Sequence, residues 1–193
     1  MFDYLEGIIT ELTPTYLAID LAGIGYLIHI SVNTYSVLKA GSKEKIFIHQ
    51  IIKEDAHLLY GFKEKKEREI FRLLISVSGI GANTARMILS SMTPEEIALA
   101  ISTENVATLQ SIKGIGSKTA QRMIVELKDK MVKINVPNQI FTREYNTSTE
   151  EALSALVMLG FQKLQVEKAL STITREQKSL TLEELIKSAL KVL

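Results

Sequence analysis

The apolar residues of this 193-residue chain repeat in twos up to Phe62 and in helical steps from Lys63 onward, so the chain must build two kinds of core. Upstream, Tyr16 to Leu21, Gly25 to Val32, Lys45 to Ile52 and His57 to Phe62 alternate and read as strands. Thr13-Pro14, Ala22-Gly23, Ala40-Gly41-Ser42 and Lys53-Glu54-Asp55 supply the turns. About five short strands at that spacing predict a small antiparallel barrel or sandwich, since closure removes exposed edges, and an oligonucleotide/oligosaccharide-binding (OB) barrel is one such solution. Downstream, Glu67 to Val77 sets Ile70, Phe71, Leu74 and Val77 on one helical face. Thr93-Pro94-Glu95-Glu96 opens another helix, with Thr93 as N-cap, Pro94 in the first position and Glu96 in capping-box register. Residues 134–146 show no clear period and read as a linker. Thr147-Ser148-Thr149-Glu150 caps a helix that ends at Gly160, and Thr181-Leu182-Glu183-Glu184 caps one running to the C-terminus, which makes 147–193 a minimal three-helix bundle.

The formal net charge of +1 hides an uneven distribution. Residues 1–62 hold 4 basic and 7 acidic side chains, 63–133 hold 12 and 8, and 134–193 hold 7 of each. A basic middle block beside an acidic one points to a polyanion partner for the middle. The absence of Cys excludes disulfides, thiolate metal sites and Cys nucleophiles. His29, His49 and His57 all fall on predicted strands without ligand spacing, so neither a metal nor another cofactor is expected. The acidic N-terminus lacks a signal-peptide pattern, and the longest apolar stretches are about ten residues, half what a bilayer needs. A cytoplasmic protein without a membrane partner is expected.

The strongest feature lies inside the basic block. Ser76-Val77-Ser78-Gly79-Ile80-Gly81-Ala82-Asn83-Thr84-Ala85 recurs as Ser111-Ile112-Lys113-Gly114-Ile115-Gly116-Ser117-Lys118-Thr119-Ala120, an offset of 35 residues. Each copy reads as a helix end, a Gly-Ile-Gly turn and a new helix start. Glycine allows positive φ and close approach of another backbone, and the new helix offers unpaired N–H groups at its positive end. That combination binds phosphate without reading bases. A lone Gly-x-Gly serves equally well as a plain tight turn; duplication in phase, with Lys113, Lys118 and Arg122 around the second copy, favours grip on a nucleic-acid backbone. A nucleotide-binding P-loop fails on spacing, because the positions that would need glycine before Lys118 hold Ser117 and Ile112.

The stretch from Ile112 to Lys130 closely resembles the second helix-hairpin-helix motif of the RuvA family. Glu54-Asp55-Ala56-His57-Leu58-Leu59-Tyr60-Gly61-Phe62 and Glu151-Ala152-Leu153-Ser154-Ala155-Leu156-Val157-Met158-Leu159-Gly160-Phe161 are similar to it too, so the resemblance spans the chain in order. It implies an α+β multidomain protein: an OB-type barrel with an acidic pin at 1–62, a tandem helix-hairpin-helix domain at 63–133, a flexible linker at 134–146 and a three-helix, UBA-like, motor-binding bundle at 147–193. The implied function is recognition of four-way Holliday junctions as a homotetramer, or an octamer of two, and loading of the hexameric ATPase RuvB for branch migration in recombination and repair; the resolvase RuvC is a further implied partner. By carry-over, Gly79, Gly81, Gly114 and Gly116 present N–H groups to phosphates, and Asn83, Thr84, Arg86, Lys113, Lys118, Thr119 and Arg122 add contacts. Glu54 and Asp55 become the pin, although composition alone reads them as ordinary turn residues. Leu156, Leu159 and Phe161 are the motor-binding candidates, some of which helical spacing must assign to the core. Ala82-Asn83 stands where the family commonly has Pro-Lys, which removes a cation from the first hairpin. No catalytic residue is implied, the ATPase belonging to the partner.

Two other classes compete. A helix-hairpin-helix DNA glycosylase would place an acidic residue roughly twenty positions beyond the hairpin; Asp129 comes too early. A non-catalytic repair adaptor, whose hairpins only pack, fits poorly with the basic excess at 63–133.

Overall fold

The computed structural model describes residues 1–135, 144–176 and 180–193, and the chain forms two compact units, Met1–Pro137 and Asn138–Leu193. The first begins with strands β1 (Tyr4–Leu12), β2 (Tyr16–Leu21) and β3 (Ile24–Ile30), a short helix α1 (Val32–Ser36), and strands β4 (Lys43–Ile52) and β5 (His57–Phe62). The strands close into a barrel in the order β1-β2-β3-β5-β4. Neighbours run antiparallel except β3 and β5, which pair in parallel through His29↔Tyr60 and Ile30↔Gly61 because the chain crosses over through α1 and β4 between them. Leu5, Ile9, Leu17, Ile19, Ile28, Ile46 and Ile48 fill the interior.

Two details depart from the sequence pattern. Strand β1 has little alternation to show, because its inward position 7 is a glycine and its outward Ile8 is half exposed. A Cβ at Gly7 would lie 2.1 Å from the Asp20 carbonyl oxygen, so the close approach of β2 excludes a side chain there. Ser31 and Val32, expected in a strand, instead start α1: the Ser31 Oγ accepts the Thr34 N–H at 3.0 Å and caps the helix.

Strand β5 serves two cores through its alternation. Leu59 points into the barrel, while Tyr60 and Phe62 face outward and stack on Phe71, with ring centroids 5.1 and 4.9 Å away. Gly61 between them has no room for a side chain, since a Cβ would come within 2.4 Å of Ile28 Cγ2. Phe71 belongs to helix α2 (Lys65–Ile75), followed by α3 (Ala82–Ser91), α4 (Pro94–Ser102), α5 (Val106–Gln110) and α6 (Ser117–Asn135). Ile70, Phe71, Leu74 and Val77 are all buried, as the spacing required. Thr93 caps α4 with both halves of the capping box formed to Glu96.

Consecutive charged residues of α2 tie helices to barrel. Glu67 is buried and accepts hydrogen bonds from the Ser31 hydroxyl and, at 2.6 Å, the Thr34 hydroxyl. Arg68, also buried, donates from Nη1 to the Asp3 carboxylate at 2.7 Å, the Asp3 carbonyl at 2.6 Å and the Ile48 carbonyl at 3.3 Å. From the other side, Asn33 Nδ2 of α1 donates to the carbonyls of Leu89 and Met92 at the end of α3, at 2.6 and 3.0 Å.

The second unit contains α7 (Glu144–Met158), α8 (Lys163–Glu176) and α9 (Leu182–Leu190) around Ala152, Leu156, Val166, Leu170, Leu185 and Ala189. Helix α7 starts at Glu144, ahead of the cap expected at Thr147. It ends as expected at Gly160, whose φ of +102° turns the chain while Phe161 N–H bonds back to the Leu156 carbonyl at 3.2 Å. Thr181 and Glu184 form the expected capping box of α9. Of the linker expected at 134–146, residues 136–143 lie outside the described residues, and the helices α6 and α7 take in its two ends. Among the described residues no helix is long and apolar enough to cross a membrane.

Burial raises the Glu67 pKa above its ordinary 4.5, against the lowering effect of the two hydroxyls. The charged carboxylate therefore costs stability above that raised value, and the cost disappears as pH falls to about 4.5. Glu67→Ala should destabilise the first unit by about 2–4 kcal/mol by stranding two buried hydroxyls. Glu67→Gln should lose less and show a flatter stability curve between pH 4.5 and 7 than the wild type, as read by urea denaturation at each pH.

Candidate nucleic-acid interface

The duplicated segments fold into two hairpins with matching backbones. In the first, α2 leads through residues 76–81 into α3; in the second, α5 leads through 111–116 into α6. Ile80 N–H bonds to the Val77 carbonyl at 3.0 Å and Ala85 N–H to Gly81 at 2.9 Å; 35 residues on, Ile115 N–H bonds to Ile112 at 3.1 Å and Ala120 N–H to Gly116 at 2.9 Å. Gly79 and Gly114 take φ of +93° and +90°, a region L side chains rarely adopt. The intervening Ile80 and Ile115 are buried with Val77, Ile112, Ala85 and Ala120. These apolar anchors turn the glycines outward: a Cβ at Gly79, Gly81 or Gly116 would meet nothing within 4 Å, and one at Gly114 only Met87 Cε at 3.8 Å.

The open glycine at position 81 leaves the start of α3 unfilled. Gly81 is the N-cap of α3 and brings no side-chain acceptor, so the first-turn N–H groups of Ala82, Asn83 and Thr84 lack the capping that Thr93, Asn105 and Thr181 give to α4, α5 and α9. Three outward N–H groups at a positive helix end form an anion-binding arrangement. Lys113 and Lys118 are exposed beside the second hairpin, with no ion-pair partner among the described residues. Thr84 and Thr119 are half-buried on the first turns of α3 and α6.

Three side chains expected at the interface are partly engaged by the protein itself. Arg122 of α6 donates from Nη1 to the Ser78 carbonyl at 3.2 Å, joining the second hairpin to the turn of the first. Arg86 of α3 donates from Nη1 to the Thr15 carbonyl, just ahead of β2, at 2.8 Å. Asn83 Oδ1 accepts from the Tyr60 hydroxyl at 3.4 Å, and the positive Arg86 acts against the rise that burial gives the Tyr60 pKa. Thr15, Tyr60 and Ser78 had no signal in the sequence, because two of them act through carbonyls and Tyr60 lies inside a strand pattern.

Glu54 and Asp55 form the exposed tip of the β4–β5 hairpin, closed by Lys53 N–H to the Ala56 carbonyl at 2.8 Å. The three histidines lie on β3, β4 and β5; His29 stands 5.6 Å from the Tyr60 ring and His49 5.4 Å from Phe71. Among the described residues no three His, Cys, Asp or Glu side chains gather into a metal-binding group.

In the second unit the motor-binding candidates separate. Leu156 is fully buried in the three-helix core, which corrects its expectation as a contact residue: it lies on the inner stripe of α7 with Ala152. Phe161 packs partly on that core, and Leu159 is 63% exposed beside Met158 at 85%.

A closed five-stranded barrel carrying two matched, open-faced helix-hairpin-helix turns defines a class of DNA-backbone-binding protein. Three family descriptions match the chain: RuvA N terminal domain over residues 1–61, SAM-like helix-hairpin-helix tandem over 71–129 and RuvA, C-terminal domain over 147–193. Curated relatives named Holliday junction branch migration complex subunit RuvA are 51% identical in Christiangramia forsetii, with all of both chains aligned, and 50% identical in Flavobacterium psychrophilum, with 99% of each. The relative in Parabacteroides distasonis is 50% identical over the whole of both chains. The chain belongs to the RuvA family.

Gly79→Ala should cost about 1–2 kcal/mol from backbone strain alone, since the space around it is open, and Gly81→Ala, at φ −84°, should cost far less. Thermal melts of the two variants read the difference.

Proposed function

We propose that this protein is the junction-binding subunit of a branch-migration complex: it binds four-way Holliday junction DNA without reading sequence and engages the RuvB ATPase, which moves the junction during recombination and repair. The observation that carries the reading is the pair of hairpins with matching hydrogen bonds and outward glycines, with the α3 start left without a capping side chain. The relatives' shared name supports it.

On this reading Gly79, Gly81, Gly114 and Gly116 bring backbone N–H groups to phosphates, and Lys113, Lys118, Thr84, Thr119 and Arg122 add side-chain contacts. Such contacts fix where the duplex arms lie and carry no base preference. Glu54 and Asp55 stand at the crossover as a repelling pin. A carboxylate and a phosphate 4 Å apart repel by only about 1 kcal/mol in water, so the pin acts where several phosphates crowd together. The protein performs no chemistry itself; ATP hydrolysis belongs to the partner. The bundle over 147–193 contacts that partner, with Leu159 among its exposed apolar residues and Phe161 at the edge. The division at 62/63, the linker at 134–146, assembly as a homotetramer and a cytoplasmic location complete the proposal.

Gly116→Asp combined with Lys118→Glu puts two negative charges on the second hairpin, at a glycine with open space and an exposed lysine. Four-way junction binding in a gel shift should fall by at least two orders of magnitude with the circular dichroism spectrum unchanged; undiminished affinity would rule out the hairpins as the DNA surface. Removal of residues 147–193 should leave junction affinity within about threefold while abolishing stimulation of the ATPase partner, a split that a coupled ATPase and binding assay resolves.

A further inference from the structure

The two hairpins share a backbone but not a charge pattern. At the offset of 35, the cations Lys113, Lys118 and Arg122 of the second copy correspond to Ser78, Asn83 and Met87 of the first. Conversely, Arg86 corresponds to Gln121. From Ser76 to Met87 the first copy has a single cation, and it stands one helical turn beyond the place that Lys118 holds in the second.

The surroundings of Arg86 suit that role. Asn83 and Arg86 are three residues apart, hence on one face of α3. Asn83 Oδ1 faces the Tyr60 hydroxyl. Arg86 is fixed by the Thr15 carbonyl, which also accepts Ile30 N–H at 3.1 Å and so is itself held in the sheet. Among the described residues no carboxylate pairs with Arg86, so its charge is not cancelled. His29 nearby has its pKa lowered, by burial first and by the Arg86 charge second. Arg122 also reaches the first turn, at Ser78, but it belongs to the second hairpin and has Glu126 3.9 Å from its Nε. A guanidinium has five donors, and one spent on a carbonyl leaves the others for a phosphate; being already ordered, it loses less entropy when the phosphate arrives.

Building on the reading that the hairpins hold phosphates, we infer that Arg86 is the phosphate-binding cation of the first hairpin, and that the Thr15 carbonyl positions it from the barrel. The first hairpin's charge is thus set by the barrel's β1–β2 turn, whereas the second hairpin carries its own.

The test is the salt dependence of four-way junction binding by the full-length protein, measured by fluorescence anisotropy between 50 and 200 mM salt for wild type, Arg86→Ala, Arg86→Lys, Arg86→Ala with Asn83→Lys, and Lys118→Ala. Loss of one phosphate contact lowers the slope of log affinity against log salt by about 0.9, so the wild-type advantage over Arg86→Ala should shrink about 3.5-fold across that range for each subunit engaged. Lysine at position 86, or at 83 in the alanine background, should restore the slope. An unchanged slope in Arg86→Ala beside a lowered one in Lys118→Ala overturns the assignment and leaves the hairpin reading standing. Unchanged slopes in both overturn the hairpin reading itself. A lowered slope that neither lysine restores shows that Arg86 acts only by holding the fold, and overturns the assignment as well.

Discussion

The arrangement of the first unit depends on a buried carboxylate and a buried guanidinium placed side by side on one helix. Glu67 holds the hydroxyls of α1 and Arg68 holds carbonyls of the barrel wall, so α2 is joined to two separate parts of the barrel within a single turn. Isolated, either charge would be costly to bury. Glu67 instead accepts from two hydroxyls and Arg68 Nη1 reaches three oxygens, leaving only the buried Arg68 Nε without a partner among the described residues, and this geometry directs the helix against the sheet. Stacking of Phe71 on Tyr60 and Phe62 supplies the apolar attraction, which is strong but poorly directional; the polar pair supplies the direction. Helices α3, α4 and α6 of the same unit pack against that helix.

Strand β5 makes this economy possible. Its inward residues close the barrel, its outward aromatics found the helical core, and Gly61 marks the point where the barrel wall is too crowded for a methyl group. A chain whose sheet and helices share a strand in this way gains one continuous unit from two patterns that look separate when read along the sequence.

That distinction explains what could be read from the residues alone. Periodicity is a local property, so the later strands, the helical face of α2 and the capping boxes at Thr93 and Thr181 were legible, as were the two Gly-Ile-Gly turns. The turns could be recognised because positive φ at Gly79 and Gly114 is a demand on residue type. Strand β1 was hidden by Gly7, whose missing side chain answers to a neighbouring strand, and α1 by Ser31, whose hydroxyl serves Glu67 thirty-six residues away. Which of Leu156, Leu159 and Phe161 belongs to the core was not legible, because an apolar residue near a helix end looks the same whether it faces the core or a partner. Nothing along the chain revealed that Arg122 and Arg86 rest on carbonyls of Ser78 and Thr15, since a carbonyl belongs to every residue.

The bond from Arg122 to the Ser78 carbonyl has a consequence for shape selection. Two anion-holding loops joined only by flexible chain would adapt to any pair of phosphates, whereas these two are clasped by a side chain as well as by the helices α4 and α6. Their separation is then a property of the protein, present before any nucleic acid arrives. On the proposed reading the two phosphate-holding points are therefore offered to the DNA at a span set in advance by the protein.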